Sequence, residues 1–435
     1  MRRTLTLLFA LPSVLAAQGA AVNQSGARPI SLDDAVRLAQ RNAPQTIQAR
    51  GNVRSSAAAV TQAKSAFLPS LSVSLNGSKQ GGDRFNPQGE LVPFTGAAWS
   101  YGSGMSMNLD LFDGFRRVYE LKSANRTLDA AESNQTLQQY NVALSVKQQY
   151  FNVLAARESE AAARAQLEQA EQQLRAAIAR VSAGAATLSD SLRSEIQVGN
   201  AQLQLLTAAN QLNIANASLT RLVATPYVVT AAADDEASYT ISLDSTQLAE
   251  LVSNGPQVAQ ARAQLSASDA GVKASRASYL PSISMSFGRS GSGVDERFGW
   301  GSDRYSYSER LGVSLSLPIF NQWSREATHV RAQVAASNAR ASLRDAQFLA
   351  TQNLVQYLGN LKTAEQRIRI QVASVAAAEE DLRVQQQRYS LGASTLLDLL
   401  TSQSALDASR QALIQARLDA RVAKAQIEAL VGRDL

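Results

Sequence analysis

The apolar positions of this chain change period in a fixed order, and the order is run through twice. From Ser31 they fall three and four apart: Ala35, Leu38 and Ala39 follow a serine cap and the acidic pair Asp33-Asp34, which predicts a helix. A second helical stretch opens on Pro44, runs through Ala57 to Ala66 and must stop before Pro69. After Leu68-Pro69 the period drops to two. Leu71, Val73 and Leu75 alternate with Ser70, Ser72, Ser74 and Asn76. On the return, Trp99, Tyr101, Met105, Met107, Leu109 and Leu111 alternate with Ser100, Gly102, Gly104, Ser106, Asn108 and Asp110. Two strands, about 69–76 and 99–111, are predicted, each with one greasy and one small polar face. Gly114 to Val181 then runs for 68 residues without proline. At about 1.5 Å per residue a continuous helix would be on the order of 100 Å long. Within it Leu167, Ala170, Leu174, Ala177 and Val181 keep coiled-coil spacing with small residues at the seam.

The second half follows the same order. A short helix ends at Pro256, the next runs to Tyr279, and the prolines at 256 and 281 are 25 residues apart, as are those at 44 and 69. Ile283, Met285 and Phe287 alternate with Ser282, Ser284 and Ser286, and Leu311, Val313, Leu315 and Leu317 with Arg310, Gly312, Ser314 and Ser316, which predicts strands of about 281–288 and 305–317. The seam recurs 208 residues on, at Val375, Ala378, Leu382, Gln385 and Tyr389. Each long helix is expected to end in a tight hairpin. Arg180–Ser194 (RVSAGAATLSDSLRS) and Arg388–Ser402 (RYSLGASTLLDLLTS) are identical at nine of fifteen positions. Gly184 and Gly392 read as helix stops, Thr187 and Thr395 as caps of the returning helices, and Asp190 and Asp398 as first-turn carboxylates suited to the helix dipole. Duplication is the economical account: repeat 1 over 22–223 with its hairpin at about 182–190, an equatorial connector over 224–247, and repeat 2 over 248–435 with its hairpin at about 390–398. Gly77–Ala98 and Gly288–Asp303, rich in Gly, Asn, Asp and Ser, read as loops joining the strands.

Composition narrows the class. Aromatics are 6 % of the chain, and the helical runs are dominated by Ala, Gln, Leu and Ser, which favours helices packed on helices over a thick core. Met1 to about Ala21 reads as a signal peptide, with Arg2-Arg3, an apolar Thr4–Leu15 and small residues at Ala16, Ala17, Gly19 and Ala20. Beyond it no apolar run spans 18 residues, so a bilayer would have to be crossed by strands. A charge of +6 without basic runs interleaved with aromatics argues against nucleic acid. No catalytic constellation stands out. The single histidine, His329, reads as a surface or packing residue, and with no cysteine there is no His/Cys metal set. Asp234-Asp235-Glu236 reads as a solvated acidic turn. No cofactor or metal is expected, and no enzyme.

In this order and twice over, these motifs resemble the TolC-like outer-membrane efflux proteins. The likeness rests on Leu68-Pro69-Ser70 and Leu280-Pro281-Ser282 at the strand entries, on Leu111-Phe112-Asp113-Gly114 and Pro318-Ile319-Phe320-Asn321 at the exits, and on the two glycine-to-aspartate hairpins. It covers the chain from Ala21 to Leu435. The resemblance implies a mixed α and β fold: a homotrimer whose chains give four strands each to a 12-stranded transmembrane β-barrel, continued by a long α-helical coiled-coil tunnel in the periplasm. Four strands cannot close a barrel and an open edge in lipid leaves backbone groups unpaired, so the physics agrees with the trimer. The implied function is a passive outer-membrane exit duct of a tripartite export system. Its partners would be outer-membrane lipid, a periplasmic adaptor docked on Gly184, Ala185, Thr187, Leu188, Gly392, Ala393, Thr395 and Leu396, and an inner-membrane exporter. A pore gate is implied at the tips, on Asp398 and its counterpart Asp190. Thr401 stands where the family carries a second acidic residue and Ser394 where some relatives carry an arginine, so a single, weaker gate is expected. The cargo expected is small molecules, with type I protein secretion as the alternative. A periplasmic adaptor or a structural coiled-coil protein is the rival of a different class, which leaves the alternating strands unexplained.

Overall fold

The computed structural model describes residues 27–79, 81–93, 99–232, 241, 244–295 and 305–435. The expected leader, Asp234-Asp235-Glu236 and part of each strand-joining loop lie outside the described residues. The described chain forms two compact units.

One unit, built from 39–148, 244–376 and 415–435, carries the main sheet. Helix α1 (Leu32–Asn42) passes into it and gives way to α2 (Pro44–Ser65) at Ala43, which Pro44 holds in an extended conformation, φ −62° and ψ 134°. Strands β2 (Ser70–Lys79) and β5 (Trp99–Phe112) pair antiparallel, with a small hairpin, β3 (Asp83–Phe85) and β4 (Leu91–Pro93), inside the loop between them. In the second half α5 (Ser245–Val252) and α6 (Pro256–Arg276) lead through one tight 3₁₀ turn to β7 (Ser282–Asp295) and β8 (Tyr305–Ser316). The four longer strands form one antiparallel sheet in the order β2-β5-β7-β8, so the halves meet at β5 and β7.

Besides that small hairpin, two segments expected as loop extend the main strands. Gly77–Lys79 continues β2, and Gly288–Asp295 continues β7, pairing with Trp99–Ser106 on one side and Tyr305–Arg310 on the other. Ladder bonds need backbone rather than apolar side chains. Gly288, Ser290 and Ser292 simply prolong the small polar face, while their glycine content reads as loop in the sequence.

The other unit, built from 27–38, 149–232 and 377–414, holds the far ends of the long helices. These are α3 (Arg116–Ser182) and α7 (Ser324–Ser390), each of 67 residues, and their returns α4 (Leu188–Val223) and α8 (Leu396–Val431), each of 36. Every residue of the two predicted seams is buried or half-buried, with Ala170, Ala177 and Leu382 buried. In the connector, β6 (Val229–Ala231) pairs parallel with β1 (Arg28–Ile30). The buried Tyr150 locks this pair to α3: its hydroxyl donates to the Ile30 carbonyl at 3.2 Å and accepts from the Ala232 N–H at 3.1 Å. No described helix is long and apolar enough to cross a membrane.

Candidate functional site

The strand register sorts the sheet into two unlike faces. Leu71, Val73, Met105, Met107, Leu109, Ile283, Met285, Phe287, Leu311, Val313 and Leu315 are matched row by row on one of them. The other carries serine, glycine and asparagine, with hydroxyls paired across strands: Ser72 with Ser106 at 2.6 Å, Ser284 with Ser314 at 2.8 Å and Ser290 with Ser308 at 2.9 Å. The apolar face is not covered within the chain. Leu311 and Leu315 are each 70 % exposed. Both outer strands, β2 and β8, keep one free edge. Aromatic rings flank the apolar rows. Trp99 stacks on Tyr101 at 6.5 Å toward the loops, where the Arg289 guanidinium lies 4.9 Å over the ring of Tyr307. At the helix ends Phe112 meets Phe115 edge-on at 5.4 Å, and Phe320 and Trp323 are exposed. The single chain thus leaves one apolar sheet face uncovered, with aromatic rings at its two ends and a small polar face behind it.

The hairpin tips are built from backbone geometry first. Gly184 and Gly392 sit in the left-handed region, φ 66° and 74°, where a Cβ is disfavoured. Each closes its helix the same way. The Ala185 N–H donates to the Arg180 carbonyl at 2.8 Å and the Gly184 N–H to Val181 at 3.0 Å; Ala393 to Arg388 at 2.7 Å and Gly392 to Tyr389 at 3.1 Å repeat the pattern. Three residues on, Thr187 and Thr395 open the returning helices in capping boxes. The Thr187 N–H and hydroxyl donate to Asp190 Oδ2 at 3.1 and 2.8 Å, and those of Thr395 to Asp398 Oδ2 at 2.9 and 2.7 Å. The threonine hydroxyl bonds hold the Asp190 carboxyl, and the threonine backbone and hydroxyl bonds the Asp398 carboxyl, below the usual carboxylate range. Thr401, one turn on from Asp398, is exposed and donates to the Leu397 carbonyl at 2.9 Å. Gly184, Ala185, Thr187, Leu188, Gly392, Ala393 and Thr395 are exposed too, whereas Leu396 is buried.

A contact between the two hairpins went unseen in the sequence. Arg180, at the end of α3, donates to the Tyr389 carbonyl at 2.7 Å, and its guanidinium lies 4.5 Å over the Tyr389 ring. The signal available was one of the six departures from the repeat in these hairpins, Val181 against Tyr389. Ser394, beside the second tip, has a buried hydroxyl with no hydrogen-bond partner among the described residues. Further along α8, burial pushes the Asp407 carboxyl up.

Comparison with known proteins decides the family. A family model described as outer membrane efflux protein matches residues 35–225 and again 248–433. The chain belongs to that family. It is an exit duct of the outer membrane that extends into the periplasm, and the family is one of transport channels. Among relatives, the pyoverdine export outer membrane protein OpmQ of Pseudomonas aeruginosa is 27 % identical, over 92 % of this chain and 83 % of its own. The outer membrane protein TolC of Vibrio cholerae is 20 % identical over 91 % and 89 %. The fold is that of CusC, at TM-score 0.79 and 18 % identity over 99 % of both chains, and of the open-state outer membrane channel MtrE of Neisseria gonorrhoeae, at TM-score 0.76 and 21 % identity over 92 % and 89 %.

Proposed function

We propose that three copies of this chain close a 12-stranded barrel through their free β2 and β8 edges and export small molecules through it. The observation that carries this reading is the main sheet: four strands with two open edges, one bare apolar face and one serine face. In lipid every ladder group must be paired, and an edge-to-edge ring of copies is the way four strands achieve it. The serine face then lines a wet lumen. Each of two repeats (22–223 and 248–435, joined by 224–247) gives the barrel one strand pair and the periplasmic tunnel one helical hairpin.

A second surface supports the same assembly. Leu188, Leu192, Ile196, Leu203 and Leu206 form an apolar stripe along α4 that stays more than half exposed in the single chain. In the trimer this stripe packs on a neighbouring copy. The tips, with the small residues Gly184, Ala185, Gly392 and Ala393, admit the close approach of an adaptor's helices, which couples the duct to an inner-membrane exporter. Asp398, with Asp190, rings the mouth as a single cation-favouring gate that Thr401 does not reinforce. The naming of a pyoverdine exporter, and of solvent and antibiotic efflux proteins, among the relatives favours small molecules over polypeptides as cargo.

The chain has no native cysteine, so cysteine pairs report cleanly. A scan with one cysteine in β2 and the other in β8 yields disulfide-linked ladders between chains of a detergent-extracted trimer. Extraction without detergent, or a scan that links nothing between chains, overturns the reading. A photo-reactive probe at Ala393 captures a periplasmic adaptor in cells. A trimer that captures none removes the docking assignment and leaves the barrel.

A further inference from the structure

Where β5 turns into α3 the chain makes two successive left-handed steps, Gly114 at φ 66° and Phe115 at φ 65°. The turn presses the backbone onto the entry to β7. A Cβ on Gly114 would lie 2.6 Å from Leu280 Cβ and 2.7 Å from the Ala277 carbonyl. Phe115 has no such exemption and is held in a region that non-glycine residues seldom adopt, and the residue is 55 % exposed. Beside it opens a cleft of about 470 Å³, lined by Gly114, Phe115, Tyr119, Lys122, Lys273, Arg276, Ala277 and Leu280.

The side of the sheet on which this cleft opens follows from the register. A bulge at the end of β5 places Phe112 opposite Ile283, and so on the apolar face. Phe115 packs edge-on against Phe112, which puts the cleft at the lower rim of that face, where an apolar surface meets water. Its floor is apolar, Phe115 and Leu280, both exposed. Its wall carries three cations from two helices: Lys122 on α3, and Lys273 and Arg276 on α6. All three are exposed, and none of their side chains forms an ion pair or hydrogen bond with a described residue. The acid next to them in sequence, Glu120, is taken by Arg116 at 3.2 Å. Arg276 and Lys273 suit the C-terminal end of α6 through its dipole, but that does not account for Lys122, two turns inside another helix.

We propose that this cleft is a site for an anionic phospholipid of the leaflet bordering the strand-to-helix junction. The phosphate sits among Lys122, Lys273 and Arg276, and an acyl chain runs along Phe115, Leu280 and the apolar strand face. Charge complementarity selects an anionic headgroup, and continuity with the apolar face selects a lipid over a free anion. The inference rests on the reading of that face as lipid-facing.

The test offers detergent-extracted trimer equal amounts of phosphatidylglycerol and phosphatidylcholine in mixed micelles and reads the lipid retained by native mass spectrometry. Wild-type trimer retains phosphatidylglycerol in preference, and excess inorganic phosphate does not strip it. K122Q/K273Q/R276Q retains at least about tenfold less phosphatidylglycerol, as the loss of three cations near an anionic headgroup requires, while remaining trimeric. The control R344Q/K362Q, which removes two exposed cations elsewhere, leaves retention unchanged. Equal retention by wild type and the triple variant, equal loss in the control, or no preference between the lipids overturns the site. Displacement by inorganic phosphate overturns its assignment to a lipid. A wild-type chain that never forms a detergent-requiring trimer overturns the barrel reading beneath it, which is a different failure.

Discussion

The two hairpin tips share a backbone and differ in what lies behind it. Both end on a left-handed glycine, both close with the same pair of carbonyl bonds, and both restart with a Thr-x-x-Asp capping box. Yet Leu188 is 67 % exposed and its counterpart Leu396 only 5 %. In the second hairpin Leu396, Leu399 and Leu406 are buried, with Ser402 and Gln403 beside them. In the first, the serine Ser191 stands where Leu399 does, and Leu188, Leu192 and Ile196 face outward. The two tips share the turn, which is a local device, and differ in the surfaces packed behind it. The second hairpin is anchored within its own chain, while the first leaves an apolar stripe exposed.

The comparison is broken most strongly by Leu399→Ala. Truncating this buried leucine should loosen the start of α8 by about 2–5 kcal/mol, whereas Leu188→Ala should change the isolated chain by no more than ~0.5 kcal/mol. Hydrogen exchange over α8 and α4 reads both, and equal protection loss in the two variants would contradict the asymmetry. The converse holds between copies: Leu192→Ala with Ile196→Ala should lower trimer stability in detergent and leave α8 exchange unchanged. Next in size is Arg180→Ala, which removes the one bond described above from the first hairpin to the second. A charge-assisted bond to a carbonyl, half exposed as here, contributes about 1–2 kcal/mol, so the variant channel should conduct better in a planar bilayer. Conductance identical to wild type would make the contact a packing detail.

The smallest effect tests what the tips share. Hydrogen bonds from Thr187 and Thr395 hold the Asp190 and Asp398 carboxyls below the ordinary aspartate value of 3.8. A depressed pKa contributes stability that is fully present above the unfolded value and lost as pH falls through the folded one. Both hairpins should therefore hold their first-turn amides protected near neutral pH and release them only in strong acid, below that value. Asp190→Asn and Asp398→Asn should flatten the profile. A wild-type profile that already falls well above pH 3.8 would show that another group titrates there.

Much of the duct was readable because its signals are local. Prolines at 44, 69, 256 and 281 set helix limits, the shift from a period of about three and a half to two marked the strands, and Gly184 and Gly392 marked the turns. The extension of β7 to Asp295 was not readable, since Gly and Ser in a strand look like loop until the partner strands supply the ladder. Of the expected tip residues, Leu396 proved buried and the rest exposed, and the Arg180–Tyr389 contact appeared between positions 209 residues apart.

The order of elements, the doubled architecture and the capped hairpins are thus determined by the sequence itself, because caps, helix stops and side-chain periodicity depend on neighbours a few residues away. Which of two matching leucines is buried, how β5 and β7 bring the halves into one sheet, and how Lys122 comes to share a cleft with Lys273 and Arg276 were decided only by the tertiary structure. Burial and charge convergence depend on which distant helix or strand arrives opposite, and no local pattern along the chain carries that information.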